Sequence, residues 1–204
     1  MTQIPARQNF VDAYAGEAPW DIGRPQASFL AIADQVASPV LDAGCGTGDI
    51  ALELAARGHQ VTGFDYLEEP IRRARAKAAE RKLTVDFRVA DALSLTGWSE
   101  RFNTVVDSGL FHVFSDEDRR RYVAGLAHIL NPGGRLFMMC FSDEEPGEFG
   151  PRRVSQKELQ AAFADGWAIE SIEPARFEIN PRFTGATFTP GGPKSWFVTV
   201  QRSI

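Results

Sequence analysis

From residue 39 onward, apolar and polar positions alternate between two rhythms. Val40-Leu41-Asp42-Ala43 is a short apolar run of the length of a buried strand. Ile50 to Arg57 is rich in Ala and Leu and predicts a helix, stopped by Gly58. Val61 to Phe64 predicts a second strand, closed by Asp65. Pro70 to Arg81 predicts a helix, with Arg72, Arg73, Arg75 and Lys77 mostly outward. Val85, Phe87 and Val89 alternate with polar residues as in a half-buried strand, and Phe102 to Val106 predicts a fourth. Ser115 and Asp118 have capping-box spacing before a helix that presents Tyr122, Val123, Leu126, Ile129 and Leu130. Asn131-Pro132-Gly133-Gly134 ends it, and Arg135 to Phe141 predicts a fifth strand. A second capping box, Ser155 and Glu158, opens a helix to about Ala164. Trp167 to Ile172 and Ser195 to Val200 predict two late strands joined by a long loop containing Pro and Gly.

Strands that alternate with helices imply a parallel sheet, because parallel neighbours need crossovers. The last two strands have no helix between them and predict an antiparallel pair at one edge. Before residue 39 the pattern is helical with a break at Pro19-Trp20-Asp21-Ile22-Gly23-Arg24-Pro25. Pro25 is expected at the first position of a helix whose apolar face is Phe29, Ile32, Ala33 and Val36.

Composition narrows the class. The chain has 204 residues, 44% apolar and 24% charged, with net charge −5. The length fits a single domain over 1–204, which the change of pattern divides into an N-terminal segment 1–36 and an α/β core 37–204. The acidic balance disfavours a nucleic-acid partner. No apolar run approaches the roughly 20 residues that cross a bilayer, and Met1 to Arg7 carries no secretory core. Two cysteines, Cys45 and Cys140, make no disulfide framework. The expectation is a soluble cytoplasmic protein, monomer or homodimer, with no membrane partner.

The strongest chemical signal is Asp42-Ala43-Gly44-Cys45-Gly46-Thr47-Gly48 at the end of the first strand. Glycines there let the backbone turn tightly and approach a ligand closely. Ligands of open parallel sheets bind at the carboxyl ends of strands. Asp65 ends the next strand, where a carboxylate can accept from a ribose diol. The pair points to a nucleoside-type cofactor. The spacing is Gly-x-Gly-x-Gly, whereas the dinucleotide fingerprint is Gly-x-Gly-x-x-Gly, and position 49 is Asp.

On these residues the chain resembles the class I S-adenosylmethionine-dependent methyltransferases. Asp42 to Gly48 matches that family's first motif. Asp65 stands at its ribose-binding acid, Asp91-Ala92 at its adenine-binding position, and Asn131 to Arg135 at another family hallmark. The resemblance implies an α/β, Rossmann-like, seven-stranded, mostly parallel sheet with helices on both faces and an antiparallel edge strand. It implies S-adenosyl-L-methionine as cofactor, S-adenosyl-L-homocysteine as product, and Asp42, Gly44, Cys45, Gly46, Asp65, Tyr66, Asp91, Ala92 and Asp107 at the cofactor. A sulfonium cation suits an acidic pocket, as Coulomb's law requires.

Ala18 to Pro25 is similar to the lid of the thiopurine, thiol and halide methyltransferase-like branch. That likeness implies Trp20 against the acceptor or the sulfonium, and Arg24 against the cofactor carboxylate or an acidic acceptor. For both, ordinary roles stay open: core packing for Trp20, a surface ion pair for Arg24.

Asp107-Ser108-Gly109-Leu110-Phe111-His112 follows the fourth strand, which is expected beside the first. The family's Asn/Asp-Pro-Pro-aromatic motif for amino groups of nucleic acids or glutamine is missing there, which favours a small-molecule acceptor. Methyl transfer is an in-line displacement in which positioning supplies much of the acceleration. A phenol or thiol acceptor must also lose a proton, and His112 is the candidate base. A packed histidine without catalysis is the competing reading, because Phe111, Val113 and Phe114 surround it in sequence. Phe111, His112, Phe141 and Trp196 are the expected acceptor contacts, with Phe177, Phe183, Phe188 and Arg182 nearby, favouring a planar aromatic acceptor. Asp143 is followed by Glu144 rather than Asn, so no metal is expected. Arg119-Arg120-Arg121 reads as a solvated helix face. Two alternatives stand beside a methyltransferase: an NAD-type dehydrogenase, and a non-catalytic S-adenosylmethionine-binding module.

Overall fold

A computed structural model describes residues 6–203; the predicted features at Met1 to Pro5 and Ile204 lie outside the described residues. The chain forms one seven-stranded sheet in the order β3-β2-β1-β4-β5-β7-β6. Its strands are β1 (Val40–Ala43), β2 (Val61–Asp65), β3 (Asp86–Val89), β4 (Phe102–Ser108), β5 (Leu130–Phe141), β6 (Trp167–Arg176) and β7 (Lys194–Arg202). The first five are mutually parallel. The antiparallel strand is β7, which lies between β5 and the edge strand β6.

Helices α1 (Arg7–Ala15), α2 (Ala27–Ala31), α3 (Asp49–Ala56), α4 (Glu68–Arg81), α5 (Asp116–Ile129) and α6 (Gln156–Ala162) complete the fold. Alternating side chains divide the strands between two cores. Leu41, Val105, Leu136, Met138 and Val198 pack with Tyr122, Leu126 and Ile129 of α5 and Leu159 of α6. Val40, Val106, Phe137 and Met139 pack on the other face with Phe29, Ile50, Leu54 and Ile71 from α2, α3 and α4. The four residues of β1 are all buried, because helices cover both faces of a central parallel strand.

The differences from the predicted elements have local causes. Gln26 caps α2, so Pro25 precedes the cap instead of opening the helix. The helix ends at Ala31 and continues as a tight turn, Ala33–Gln35, yet Phe29, Ile32, Ala33 and Val36 are all buried as the spacing predicts. Strand β5 begins at Leu130, and the Asn131 to Gly134 stretch is an irregularity in its pairing with β4. Gly134 is required there: a Cβ would sit 2.8 Å from the Asn131 carbonyl and 3.1 Å from that of Asn103. The Ser155 and Glu158 capping box is present in full. Arg119 is not solvated: it is buried, lies over the Phe111 ring at 4.4 Å, and reaches Glu158 at 3.4 Å.

Candidate active site

The carboxyl ends of β1, β2 and β4 open into a cavity of about 1140 Å³, roofed by residues from α1 and the segment after it. Three glycines of the loop after β1 have positive φ: Gly44 at 68°, Gly46 at 53° and Gly48 at 82°. Gly46 also faces the Tyr14 hydroxyl, which a Cβ would approach to 2.7 Å. The loop is tied to the next strand, because the Gly46 N–H donates to Asp65 Oδ2 at 3.2 Å. The Leu67 N–H donates to Asp65 Oδ1 at 3.0 Å. A carboxylate has about four lone-pair sites, so Asp65 retains capacity for a diol.

Asp42 accepts from the Ala51 N–H at 3.0 Å. Burial raises its carboxyl to about pH 7, opposed by that hydrogen bond. Burial raises Asp65 to about 6, opposed by the Leu67 and Gly46 amides. Gly44, Cys45, Tyr66, Asp91 and Ala92 line the same cavity. Asp91 accepts from the Leu93 N–H at 2.9 Å and opens a turn at Ala92. The cradle fits a cationic nucleoside: paired acids at the strand ends, and a loop whose glycines bring backbone close.

Trp20 lines this cavity and is 40% exposed. Its indole N–H donates to the Tyr14 hydroxyl at 3.0 Å, and Phe10 lies 5.7 Å away by ring centroids. Arg24 lines the cavity too, but its guanidinium is paired through both terminal nitrogens with the Glu178 carboxylate. Of the two roles the sequence left open for Arg24, a ligand contact and a surface ion pair, the ion pair is the one present. Gln26 completes the clip: its Nε2 donates to the Glu178 carbonyl at 3.0 Å, and the Glu178 N–H donates to its Oε1 at 2.7 Å. Thr47 donates to Asp21 at 3.0 Å, joining the roof to the glycine loop.

Three further expectations are corrected. Asp107 is fully buried and does not line the cavity. It accepts from the Leu110 N–H at 2.7 Å, the Phe111 N–H at 3.1 Å and the Tyr122 hydroxyl at 3.0 Å, so it shapes the turn after β4. Phe111 points into the core, stacked on Phe163 at 5.8 Å. Trp196 is buried, and its indole N–H donates to the Val154 carbonyl at 3.0 Å.

His112 and Phe141 do line the cavity, together with Phe177, Phe188, Phe149 and Phe183. The rings form a continuous wall: Phe141 lies 5.3 Å from Phe177 and 6.0 Å from Phe188. The Phe141 N–H donates to His112 Nδ1 at 3.0 Å. Burial, then Arg119 and Arg153, push the imidazole down to about pH 3. Sequence reasoning missed Tyr14 and Glu178, neither of which belongs to a local motif.

Comparison with known proteins agrees with this geometry. A family profile for a methyltransferase domain matches residues 40–134. A 2-heptyl-1-hydroxyquinolin-4(1H)-one methyltransferase of Mycobacteroides abscessus is 39% identical over 90% of this chain and 85% of its own length. A probable thiol methyltransferase of Arabidopsis thaliana is 26% identical over 82% of this chain and 76% of its own. A structure from work on conversion of a disulfide bond into a thioacetal group during echinomycin biosynthesis superposes with TM-score 0.83. It is 36% identical, covering 97% of this chain and 93% of that one.

Proposed function

The chain belongs to the S-adenosylmethionine-dependent methyltransferases, and we propose that it methylates a small, flat heteroaromatic molecule. The dehydrogenase alternative falls with that membership. One observation carries the substrate reading: a single cavity joins an acidic end at Asp42 and Asp65 to an aromatic wall at Phe141, Phe177 and Phe188. The relative that acts on a hydroxyquinolinone supports the same class. No helix among the described residues is long and apolar enough to cross a membrane.

In this reading Asp65 holds the ribose diol, Asp91 and Ala92 hold the adenine, and Gly44, Cys45 and Gly46 give backbone access. Asp42 and Asp65 supply negative charge toward the sulfonium. S-Adenosylmethionine supplies an electrophilic methyl group. Trp20 and Tyr66, with Tyr14 beneath, cover that end and exclude water. Within one domain, the described part of the N-terminal segment, residues 6–36, acts as a lid on the core that follows, pinned by Arg24 and Glu178. Phe141, Phe177 and Phe188 orient the acceptor's plane, and this approach and alignment is the larger part of the catalysis.

The test is S-adenosylhomocysteine release over a panel of hydroxyquinolinones, phenols, thiols and amines. Turnover concentrated on planar heteroaromatics is expected. Turnover confined to aliphatic amines contradicts the reading.

A further inference from the structure

His112 sits in the tight turn Phe111–Val113 after β4 and is 6% exposed. Its Nδ1 accepts the Phe141 N–H at 3.0 Å. A ring nitrogen that accepts a hydrogen bond carries no proton, so the proton of the neutral imidazole is on Nε2. The ring is kept neutral by its burial and by Arg119 of α5 and Arg153 of the segment before α6. Among the described residues, no side chain or carbonyl accepts from Nε2. Phe141 and Phe177 flank the ring at 5.2 and 5.9 Å. Gly109 packs against Nε2, since a Cβ there would lie 3.3 Å away. The lone pair a base needs is thus occupied by backbone, while an N–H remains in the wall of the acceptor cavity.

We propose that His112 is a hydrogen-bond donor that holds the methyl acceptor as its oxyanion, and that it does not deprotonate it. The assignment rests on the acceptor-side reading above. It names the substrate class: a heteroaromatic or phenolic hydroxyl acidic enough to enter as its anion. The acceptor oxygen forms its bond to the methyl carbon as the carbon–sulfur bond breaks, and that electron pair stays on sulfur. An anionic acceptor and a sulfonium give two neutral products, so no proton has to be placed by the protein.

The experiment uses 4-nitrophenol, whose visible absorption reports its phenolate, bound to the protein saturated with S-adenosylhomocysteine. A hydrogen bond to the charged form lowers the pKa of the bound phenol. The wild type is expected to ionise the bound probe about one pH unit below free probe, a roughly tenfold effect. His112→Gln, whose amide can donate from the same place, keeps most of the shift; His112→Phe, folded by its melting curve, loses it. A wild type that binds the neutral phenol, or fails to bind the probe, overturns the assignment. So does a His112→Phe variant that keeps the shift. Release of S-adenosylhomocysteine on the acceptor panel is read separately. A wild type that shifts the probe but methylates no planar acceptor refutes the acceptor reading while supporting the donor.

Discussion

Gly46 and Asp65 are joined by a hydrogen bond from the Gly46 amide to Oδ2 at 3.2 Å, so the loop after β1 and the acid that ends β2 form one unit. A backbone donor and a carboxylate from different strands are thereby held in fixed relation before any ligand arrives. Pre-organisation of this kind reduces the ordering cost of binding. Asp65→Ala removes both the proposed diol acceptor and the loop's anchor. Calorimetry should show S-adenosylmethionine affinity falling by about tenfold to several hundredfold, since hydrogen bonds to a charged group contribute about 1.5–3 kcal/mol. Unchanged affinity in a folded variant contradicts the ribose assignment.

Gly46→Val tests the close approach from the other side. Its φ of 53° is strained for a branched residue, and its Cβ would meet the Tyr14 hydroxyl at 2.7 Å. The variant should keep the sheet, judged by circular dichroism, and lose cofactor binding at any attainable concentration. Wild-type affinity contradicts the placement of the cofactor at this loop.

Buried acids make cofactor recognition depend on pH. Asp42 and Asp65 titrate at about 7 and about 6 in the free protein. A sulfonium binds best to their ionised forms. S-Adenosylmethionine affinity should therefore rise between pH 5.5 and 8, as measured by calorimetry, while S-adenosylhomocysteine, without the positive sulfur, should show a smaller rise. The same shifts fix a stability sign. A carboxyl whose folded pKa is raised stabilises the fold below its unfolded value and loses that contribution as pH rises through the folded value. Asp42→Asn should thus melt higher than wild type at pH 8 without ligand, yet bind S-adenosylmethionine more weakly. A variant that loses stability at pH 8 and keeps affinity contradicts the account of Asp42.

Arg24→Ala separates a lid clip from a ligand contact. The Arg24 pair with Glu178 is exposed, and exposed pairs contribute little. The variant should change S-adenosylmethionine affinity by less than about fivefold, and Glu178→Ala should have a similar effect. A loss above tenfold for Arg24→Ala alone shows that the guanidinium leaves Glu178 to bind ligand.

The β1 end of the site is legible in the sequence because its chemistry is local. Asp42 to Gly48 is contiguous, and Asp65 follows one helix and one strand later. The acceptor end is less legible because side-chain direction decides it. Trp196 pairs with Cys140 in the register of β5 and β7, and both face α5 and α6. Phe141, one residue on from Cys140, faces the other side and reaches the cavity. Phe111 and His112 diverge in the same way within one turn. Asp107 looks like a ligand by position, but it is fully buried away from the cavity, where it accepts from three donors in the following turn and α5. The Arg24–Glu178 clip joins residues 154 positions apart, beyond any local pattern.

The most direct test of the account is transfer of a carbon-13 methyl group from labelled S-adenosylmethionine to 1-hydroxyquinolin-4(1H)-one, followed by NMR. A cavity that carries acids at one end and flat rings with an imidazole N–H at the other predicts one new O-methyl resonance, growing with enzyme concentration and absent when S-adenosylmethionine is omitted. No transfer to this or any other planar hydroxylated heterocycle, in a protein that still binds S-adenosylmethionine, contradicts it.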